Sequence, residues 1–244
     1  MEIPIIYEDR DIVAVNKPAG VLVHKTGVAF GKNGKKEDDT IVDFLLKHFP
    51  EIRLVGDRHT SGGSSIERSG IVHRLDRETS GVIIAARNQE SFSDLKTQFQ
   101  ERKVRKSYLA LVYGIIEKQG VINKPIGLKP GTIKRSVTAK NMKMIKEAVT
   151  EYIPQKHFKA ATLLMVTPKT GRTHQIRVHL ASIGHPIVGD TLYGFKKQTL
   201  CSPRQFLHAE SIEFTTLSGK RMKIEAELPD DLKEVLRKID SKEK

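Results

Sequence analysis

The chain has 244 residues, 38% of them hydrophobic and 29% charged, the composition of an ordinary soluble protein with length for one large domain or two small ones. Forty-two Lys and Arg stand against 29 Asp and Glu, and the resulting charge of +13 recruits polyanions, which makes nucleic acid the leading partner class. The one cysteine, Cys201, excludes an internal disulfide and every multi-Cys metal pattern, no apolar run nears the roughly 20 residues of a membrane span, and the acidic start (Glu2, Glu8, Asp9, Asp11) is unlike a signal or transit peptide, so a reducing, cytoplasmic setting is expected, with Cys201 a packed thiol.

Residues 3–7 and 12–16 are expected strands around the turn Glu8-Asp9-Arg10-Asp11, and Lys17-Pro18-Ala19-Gly20 then breaks into a further β-like run, Val21-Leu22-Val23-His24. Lys17 and His24 could reach a substrate, although a lysine beside a Pro-Gly turn is more often only solvated. The polar segment 27–39 lacks the GK[ST] ending of a phosphate-binding loop. Thr40 and Asp43 have the spacing of a capping box, and Ile41, Phe44, Leu45 and His48 or Phe49 share one face of a helix stopped by Pro50, with His48 at the edge of the core. Segment 56–70, centred on Ser61-Gly62-Gly63-Ser64-Ser65, is an expected loop and a candidate lid or RNA-ordered segment.

The stretch Ile71-Val72-His73-Arg74-Leu75-Asp76-Arg77-Glu78-Thr79-Ser80-Gly81 sets a carboxylate at a bend between two β-branched runs, with arginines at 74 and 77. Two readings stand on these residues alone: a group placed for chemistry, or a charged turn whose aspartate accepts local backbone hydrogen bonds. After the apolar strand 82–86, Asn88 or Ser91 caps a helix with Phe92, Leu95 and Phe99 on one face. The basic residues at its end, Arg102, Lys103, Arg105 and Lys106, suit the negative pole of the helix dipole and could meet phosphate. Residues 107–114 alternate as a strand that points Tyr108 and Ala110 one way, a position where tyrosine is usually a core or edge aromatic.

Residues 118–146 hold eight basic side chains (Lys118, Lys124, Lys129, Lys134, Arg135, Lys140, Lys143, Lys146) and no acid, with enough Gly and Pro to prevent long regular elements. A segment of one sign repels itself unless an anion lies against it, so it reads as part of a phosphate-backbone footprint, the alternative being a solvated face. Strands are expected at 148–153 and 160–166. The turn Pro168-Lys169-Thr170-Gly171 then leads to a helix capped by Thr173, with Ile176, Leu180 and Ile183 inward and Gly184 as its stop. His174 and His179 on that helix are about 140° out of register and do not form a zinc pair. A turn-rich connector at 185–190, strands at 207–214 and 221–227, and a final helix capped by Asp230 complete the chain, which shows no repeat and no dividing linker.

Several stretches together resemble the RluA-type pseudouridine synthases. They are His73-Arg74-Leu75-Asp76-Arg77 with Thr79-Ser80-Gly81, then Lys106-Ser107-Tyr108-Leu109-Ala110-Leu111-Val112, then Gly171-Arg172-Thr173-His174-Gln175-Ile176-Arg177-Val178-His179-Leu180 with Gly184-His185-Pro186-Ile187-Val188-Gly189-Asp190. The opening Ile6-Tyr7-Glu8-Asp9, Asn16-Lys17-Pro18-Ala19-Gly20 and the late Leu207-His208-Ala209 also fit, so the resemblance covers nearly the whole chain. It implies an α+β fold with a bent, mostly antiparallel sheet, flanking helices and a central cleft, and isomerisation of uridine to pseudouridine in rRNA or tRNA with no metal and no organic cofactor. Members of the family often carry a small RNA-binding domain before the catalytic core; here a single catalytic domain over 1–244 without one is expected, with no membrane and no obligate protein partner. By position, Asp76 is implied as the catalytic aspartate, Tyr108 as the aromatic that packs on the target base and Arg177 as the basic partner of Asp76. Arg74 is implied to probe the RNA where the base has left. Arg77, Lys106, Lys134, Arg135 and Arg172 complete the expected RNA-binding set.

The chemistry suits these residue types. Moving a base from N-linkage to C-linkage needs an ionised carboxylate, whether it attacks the sugar, attacks the ring or takes a ribose proton, and a nearby arginine favours the ionised form. Unstacking the base costs a few kcal/mol, which stacking on an aromatic ring returns at about 1–3 kcal/mol, so net affinity has to come from phosphate contacts. Two rival readings remain: an RNA-binding or ribosome-assembly module without turnover, and a glycoside-type hydrolase pairing Asp76 with Glu78.

Overall fold

Apolar alternation and its breakers translate into short antiparallel strands with a helix at each long excursion. The computed structural model describes residues 2–25, 39–57, 69–132, 134–138 and 140–241. Along the chain run β1 (Ile5–Glu8), β2 (Ile12–Lys17), α1 (Ile41–His48), β3 (Ser80–Ala86), α2 (Gln89–Gln100), β4 (Arg105–Tyr113), β5 (Gly120–Asn123), β6 (Ile126–Leu128), β7 (Arg135–Ser136) and β8 (Lys143–Lys146). Then follow β9 (Val149–Phe158), β10 (Ala161–Pro168), α3 (Gln175–Ser182), β11 (Leu207–Thr215), β12 (Arg221–Glu225) and α4 (Asp230–Ser241). The fold class is α+β, as expected. The chain forms two compact units, Met1–Val104 with Ser211–Ala226 and Arg105–Glu210 with Glu227–Lys244, each built from two separated stretches.

In the first unit β2 pairs antiparallel with β1 on one side and β3 on the other, with Asn16 opposite Val82 and Lys17 opposite Gly81. All seven residues of β3 are buried, which is why this strand reads as a continuous apolar run rather than an alternation. Ile12, Ala14, Val82 and Ile84 pack with Phe92 and Leu95 of α2 and with Ile212, Phe214 and Ile224 from the paired β11 and β12. Asn88 is the cap of α2, its side chain accepting the Ser91 N–H at 2.9 Å. The capping box of Thr40 and Asp43 forms as expected, and α1 gives way to a 3-10 turn at Pro50–Leu54. His48 sits at the edge, its Nδ1 2.8 Å from the Phe44 carbonyl. Residues 21–24 do not form a strand. The carbonyls of Leu22 and Val23 instead accept the N–H groups of Ile41 and Val42, two first-turn donors that have no partner inside α1. The expected loop centre at 61–65 and most of segment 27–39 lie outside the described residues.

The second unit is built on the antiparallel order β4-β10-β9-β5, with Tyr108 opposite Val166 and Leu111 opposite Leu163. The acid-free segment forms β5 and a small separate sheet in the order β7-β6-β8. Helix α3 starts one residue later than expected. His174, not Thr173, is its cap residue, in the left-handed region at φ 57° and with no side-chain cap bond. Gln175 ties the turn before the helix, its Oε1 accepting from the Arg172 N–H and the Thr170 hydroxyl. Cys201 is exposed rather than packed. No helix among the described residues is long and apolar enough to cross a membrane.

Candidate functional site

Asp76 belongs to the first unit, in the turn that precedes β3. Its backbone carbonyl accepts the Thr79 N–H at 3.1 Å, and the flanking Leu75 and Thr79 are buried, so the turn is pinned on both sides of a half-exposed carboxylate. Upstream, Ile71 bridges to Ala85 of β3, and the Ile84 N–H donates to Nε2 of His73 at 3.0 Å. Gly70 makes this approach possible: with φ +72° it lies so close to β3 that an added Cβ would fall 2.2 Å from the Ala86 carbonyl oxygen. Arg74 and Arg77 are both exposed, and Arg77 Nε donates to the Gly20 carbonyl at 2.7 Å.

Lys17 is neither solvated nor turned toward a substrate. Its side chain is wholly buried, and Nζ donates to the carbonyls of Pro18 and Val21, each at 2.7 Å, and of Arg77 at 2.8 Å. The Gly20 N–H meets the same Arg77 carbonyl at 2.9 Å. An ammonium with all three hydrogens on backbone oxygens is satisfied without a carboxylate. The 17–20 loop therefore clamps the turn that carries Asp76.

Tyr108 and Arg177 belong to the second unit. Tyr108 is 9% exposed near the start of β4, held by its pairing to β10. Arg177, on α3, makes a side-on pair with the fully buried Asp190: Nε to Oδ2 at 2.7 Å and Nη2 to Oδ1 at 2.9 Å. Oδ1 of Asp190 also accepts the N–H groups of Leu192 and Tyr193 at 2.9 and 3.0 Å. Burial pushes the Asp190 carboxyl up, but the Arg177 guanidinium and these two amides outweigh it and hold the group below its ordinary range. Gly189 is required just before it, because at φ +78° an added Cβ would strike the Arg204 carbonyl oxygen at 1.9 Å. The segment is anchored on β4 through Val188 N–H to Leu111 O and the Val112–Ile187 bridge.

The pairing with Asp190 was not foreseen from the sequence, where 185–190 read only as a connector. The Gly189-Asp190-Thr191-Leu192-Tyr193-Gly194 spacing is the available signal: an aspartate that caps its own turn and presents an aromatic three residues on. Tyr193 places its ring under the Arg177 guanidinium, 5.2 Å from carbon to centroid.

Helix α3 is seated on the sheet by a buried polar chain. His179 stands 2.9 Å from both the Thr150 hydroxyl and the Lys124 carbonyl, and Gln175 donates to the same hydroxyl at 3.0 Å and to Val149 O at 2.9 Å. His174 and His179 thus serve different neighbours, as their spacing required. Among the described residues no group of three or more His, Cys, Asp and Glu gathers as if for a metal ion.

Of the expected RNA-binding residues in this unit, Lys134 is exposed and donates Nζ to the Leu192 carbonyl at 3.2 Å. Arg135 donates its backbone N–H to the Tyr193 hydroxyl at 2.8 Å, and its buried Nε has no hydrogen-bond partner. Arg172 donates Nε to the Glu147 carbonyl at 3.0 Å. Lys106 is half-buried on β4, and desolvation pushes its ammonium down to about 8.

Residues 11–182 match the family described as RNA pseudouridylate synthase. A Nitrosomonas europaea protein named ribosomal large subunit pseudouridine synthase D is 40% identical over 243 residues, covering 96% of this chain and 64% of that protein. The Pseudomonas aeruginosa protein of the same name is 37% identical over 247 residues, covering 95% of this chain and 70% of that protein. An Aquifex aeolicus protein named as an uncharacterized RNA pseudouridine synthase is 44% identical over 209 residues, 84% of this chain and 60% of its own length. The chain thus spans less than two thirds of the Nitrosomonas and Aquifex relatives. Among solved structures, human RNA pseudouridylate synthase domain containing 1 superposes with a TM-score of 0.71 at 27% identity, over 93% of this chain and 84% of that one.

Proposed function

The chain belongs to the RNA pseudouridylate synthase family, and from that premise we propose that it isomerises uridine to pseudouridine in a structured RNA. Asp76 supplies the carboxylate, Tyr108 the aromatic face for the displaced base, and Arg177 the positive charge assigned to Asp76. The reaction breaks the bond from ribose C1′ to uracil N1, turns the base, joins C1′ to C5 and releases the C5 proton while N1 takes one up, so the product is an isomer of the substrate. Every route to it begins with an ionised Asp76. A phenol with an ordinary pKa near 10 is a poor base, so Tyr108 is assigned to stacking.

The observation that carries this reading is the agreement between family membership and the local build of the Asp76 turn. The turn that carries a half-exposed carboxylate is pinned by a backbone bond from the Thr79 N–H to the Asp76 carbonyl and by the Lys17 clamp on the next residue. Arg74, Arg77, Lys106, Lys134, Arg135 and Arg172 are the proposed phosphate contacts, consistent with the +13 charge. The names of the Nitrosomonas and Pseudomonas relatives favour large-subunit ribosomal RNA over transfer RNA as the substrate, and the cytoplasm as the place of work.

The test is a pseudouridine map of total RNA from cells with and without the protein, complemented by wild type or by Asp76→Asn. A uridine modified only with wild type supports the proposal. RNA bound tightly with no uridine changed anywhere would leave the RNA-binding module as the better reading.

A further inference from the structure

The small basic sheet and the Arg177 helix meet at one side chain. The Tyr193 hydroxyl accepts the backbone N–H of Arg135, the first residue of β7, at 2.8 Å, and lies 2.9 Å from Nδ1 of His174. Having accepted from Arg135, the hydroxyl has its own proton to give to that nitrogen. The ring packs edge-on to the His174 imidazole at 5.6 Å, and Arg177 lies over it at 5.2 Å. The backbone around this tyrosine is also tied in: Lys134 Nζ reaches the Leu192 carbonyl, and the Tyr193 N–H is held by Asp190, the carboxylate that also orients Arg177.

Three features make Tyr193 more than a packing residue. His174 holds a left-handed backbone conformation that a non-glycine residue adopts at a cost, and its ring is secured there by Tyr193. Arg135 gives its backbone N–H to the tyrosine, so the phenol oxygen holds β7 directly through its main chain. Arg177 has its in-plane position set by Asp190 and its face set by the Tyr193 ring.

We propose that Tyr193 is a positioning residue that locks the basic β6–β8 sheet to the start of α3, so that RNA phosphates seated on Lys134 and Arg135 are held in register with Arg177. The inference rests on the RNA-modifying function proposed above. It assigns two separable tasks to one side chain: the hydroxyl tethers β7, and the ring supports the guanidinium.

Two variants separate those tasks. Tyr193→Phe keeps the ring and loses both hydroxyl bonds, the tether to the Arg135 N–H and the contact with His174. The tether alone, an uncharged hydrogen bond of about 1 kcal/mol, corresponds to about fivefold, so KM for RNA is expected to rise about fivefold or more while kcat falls less. Protection of the Arg135 amide against hydrogen exchange should drop by a similar factor. Tyr193→Leu loses both, and kcat should fall about tenfold as well, in line with a cation–π contact of about 1 kcal/mol or more. The Arg177 Nε–H resonance should broaden in the Leu variant and stay sharp in the Phe variant. Rescue of kcat by Phe relative to Leu is the signature that a merely structural tyrosine would not give. Equal kcat in the two variants, or unchanged Arg135 amide protection in Tyr193→Phe, would overturn the inference. If wild type modifies no uridine, the proposed function fails, but the amide and Nε–H measurements still decide whether Tyr193 couples the sheet to Arg177.

Discussion

Lys17, wholly buried at the end of β2, gives its ammonium to the backbone carbonyl of Arg77 at 2.8 Å, 60 residues along the chain and one residue past Asp76. The shape of the turn that carries the carboxylate is thus set by a positive charge that never faces solvent.

Replacing Lys17 by Met keeps the length of the side chain and removes its three donors. The Pro18 and Val21 carbonyls lose a partner, and the 17–20 loop loses one of its links to the Asp76 turn. Leaving a buried carbonyl without its donor costs about 1–3 kcal/mol. Urea unfolding should show that loss, and the Thr79 amide should exchange faster at urea concentrations well below the midpoint. An unchanged midpoint would mean that the Arg77–Gly20 bonds hold the turn by themselves.

The Arg177–Asp190 pair makes a similar claim in the second unit. Asp190→Asn preserves shape but leaves a buried guanidinium without its counter-charge, for a loss of about 3–5 kcal/mol. The double variant Asp190→Leu with Arg177→Met should be less destabilised than the sum of its single changes. The pH dependence has a definite sign. The folded Asp190 carboxyl lies below its ordinary 3.8, so its contribution is complete above about pH 4 and is lost as pH falls through the folded value. An acid-unfolding curve that Asp190→Asn leaves unmoved would contradict this.

Charge reversal at Lys134 and Arg135 addresses the basic sheet. Each phosphate contact contributes about 0.7–0.9 to the slope of log affinity against log salt. Lys134→Glu with Arg135→Glu should weaken binding of a ribosomal RNA fragment and flatten that slope by about 1.5 or more. Wild-type slope in the double variant would return the 118–146 segment to a solvated face.

Lys106 should make RNA binding sensitive to mild alkali. Its ammonium titrates near 8 in the folded protein because burial disfavours the charge. A phosphate bound to it would raise that value, so binding takes up a proton above pH 8 and affinity falls as pH rises, by up to about tenfold per unit. Lys106→Arg, which stays charged, should abolish the dependence between pH 7 and 9. Equal pH profiles for the two proteins would remove Lys106 from the phosphate contacts.

Several parts of this fold could be read from sequence because they are local. The Thr40–Asp43 capping box, the Asn88 cap and the buried run of β3 each depend on residues within a few positions of one another. Two misreadings were of residues whose partners lie far along the chain. The 21–24 run looked like a strand until α1 claimed its carbonyls, and Lys17 looked solvated because the turn it clamps lies 60 residues away. The third was local: Thr173 has the side chain of a cap, but the left-handed His174 holds that position, and Gln175 ties the preceding turn through Thr170 and Arg172. Asp76, Tyr108 and Arg177 drew their proposed roles from contiguous motifs, whereas Asp190 and Tyr193 gain their meaning only when α3 is folded beside them.

His179 gives the clearest acid test of how α3 is held. The Lys124 carbonyl at 2.9 Å requires a proton on Nε2, and Thr150, which accepts from Gln175, has its own hydroxyl proton to give to Nδ1. The neutral ring is therefore satisfied at both nitrogens. Burial lowers its affinity for a second proton, an effect that the Lys124 carbonyl opposes and the Lys124 charge reinforces. Because the folded value lies below the ordinary 6.5, the unfolded chain takes up more protons there, and stability falls as pH drops below about 6.5. The limiting slope for one such group is about 1.4 kcal/mol per pH unit. Urea unfolding at pH 7.5 and 5.5 should show a larger drop for wild type than for His179→Gln, which is less stable at neutral pH but has nothing to titrate at this position. The same drop in both proteins would mean that another group carries the acid sensitivity and that the Thr150–His179–Lys124 chain tolerates a charged ring.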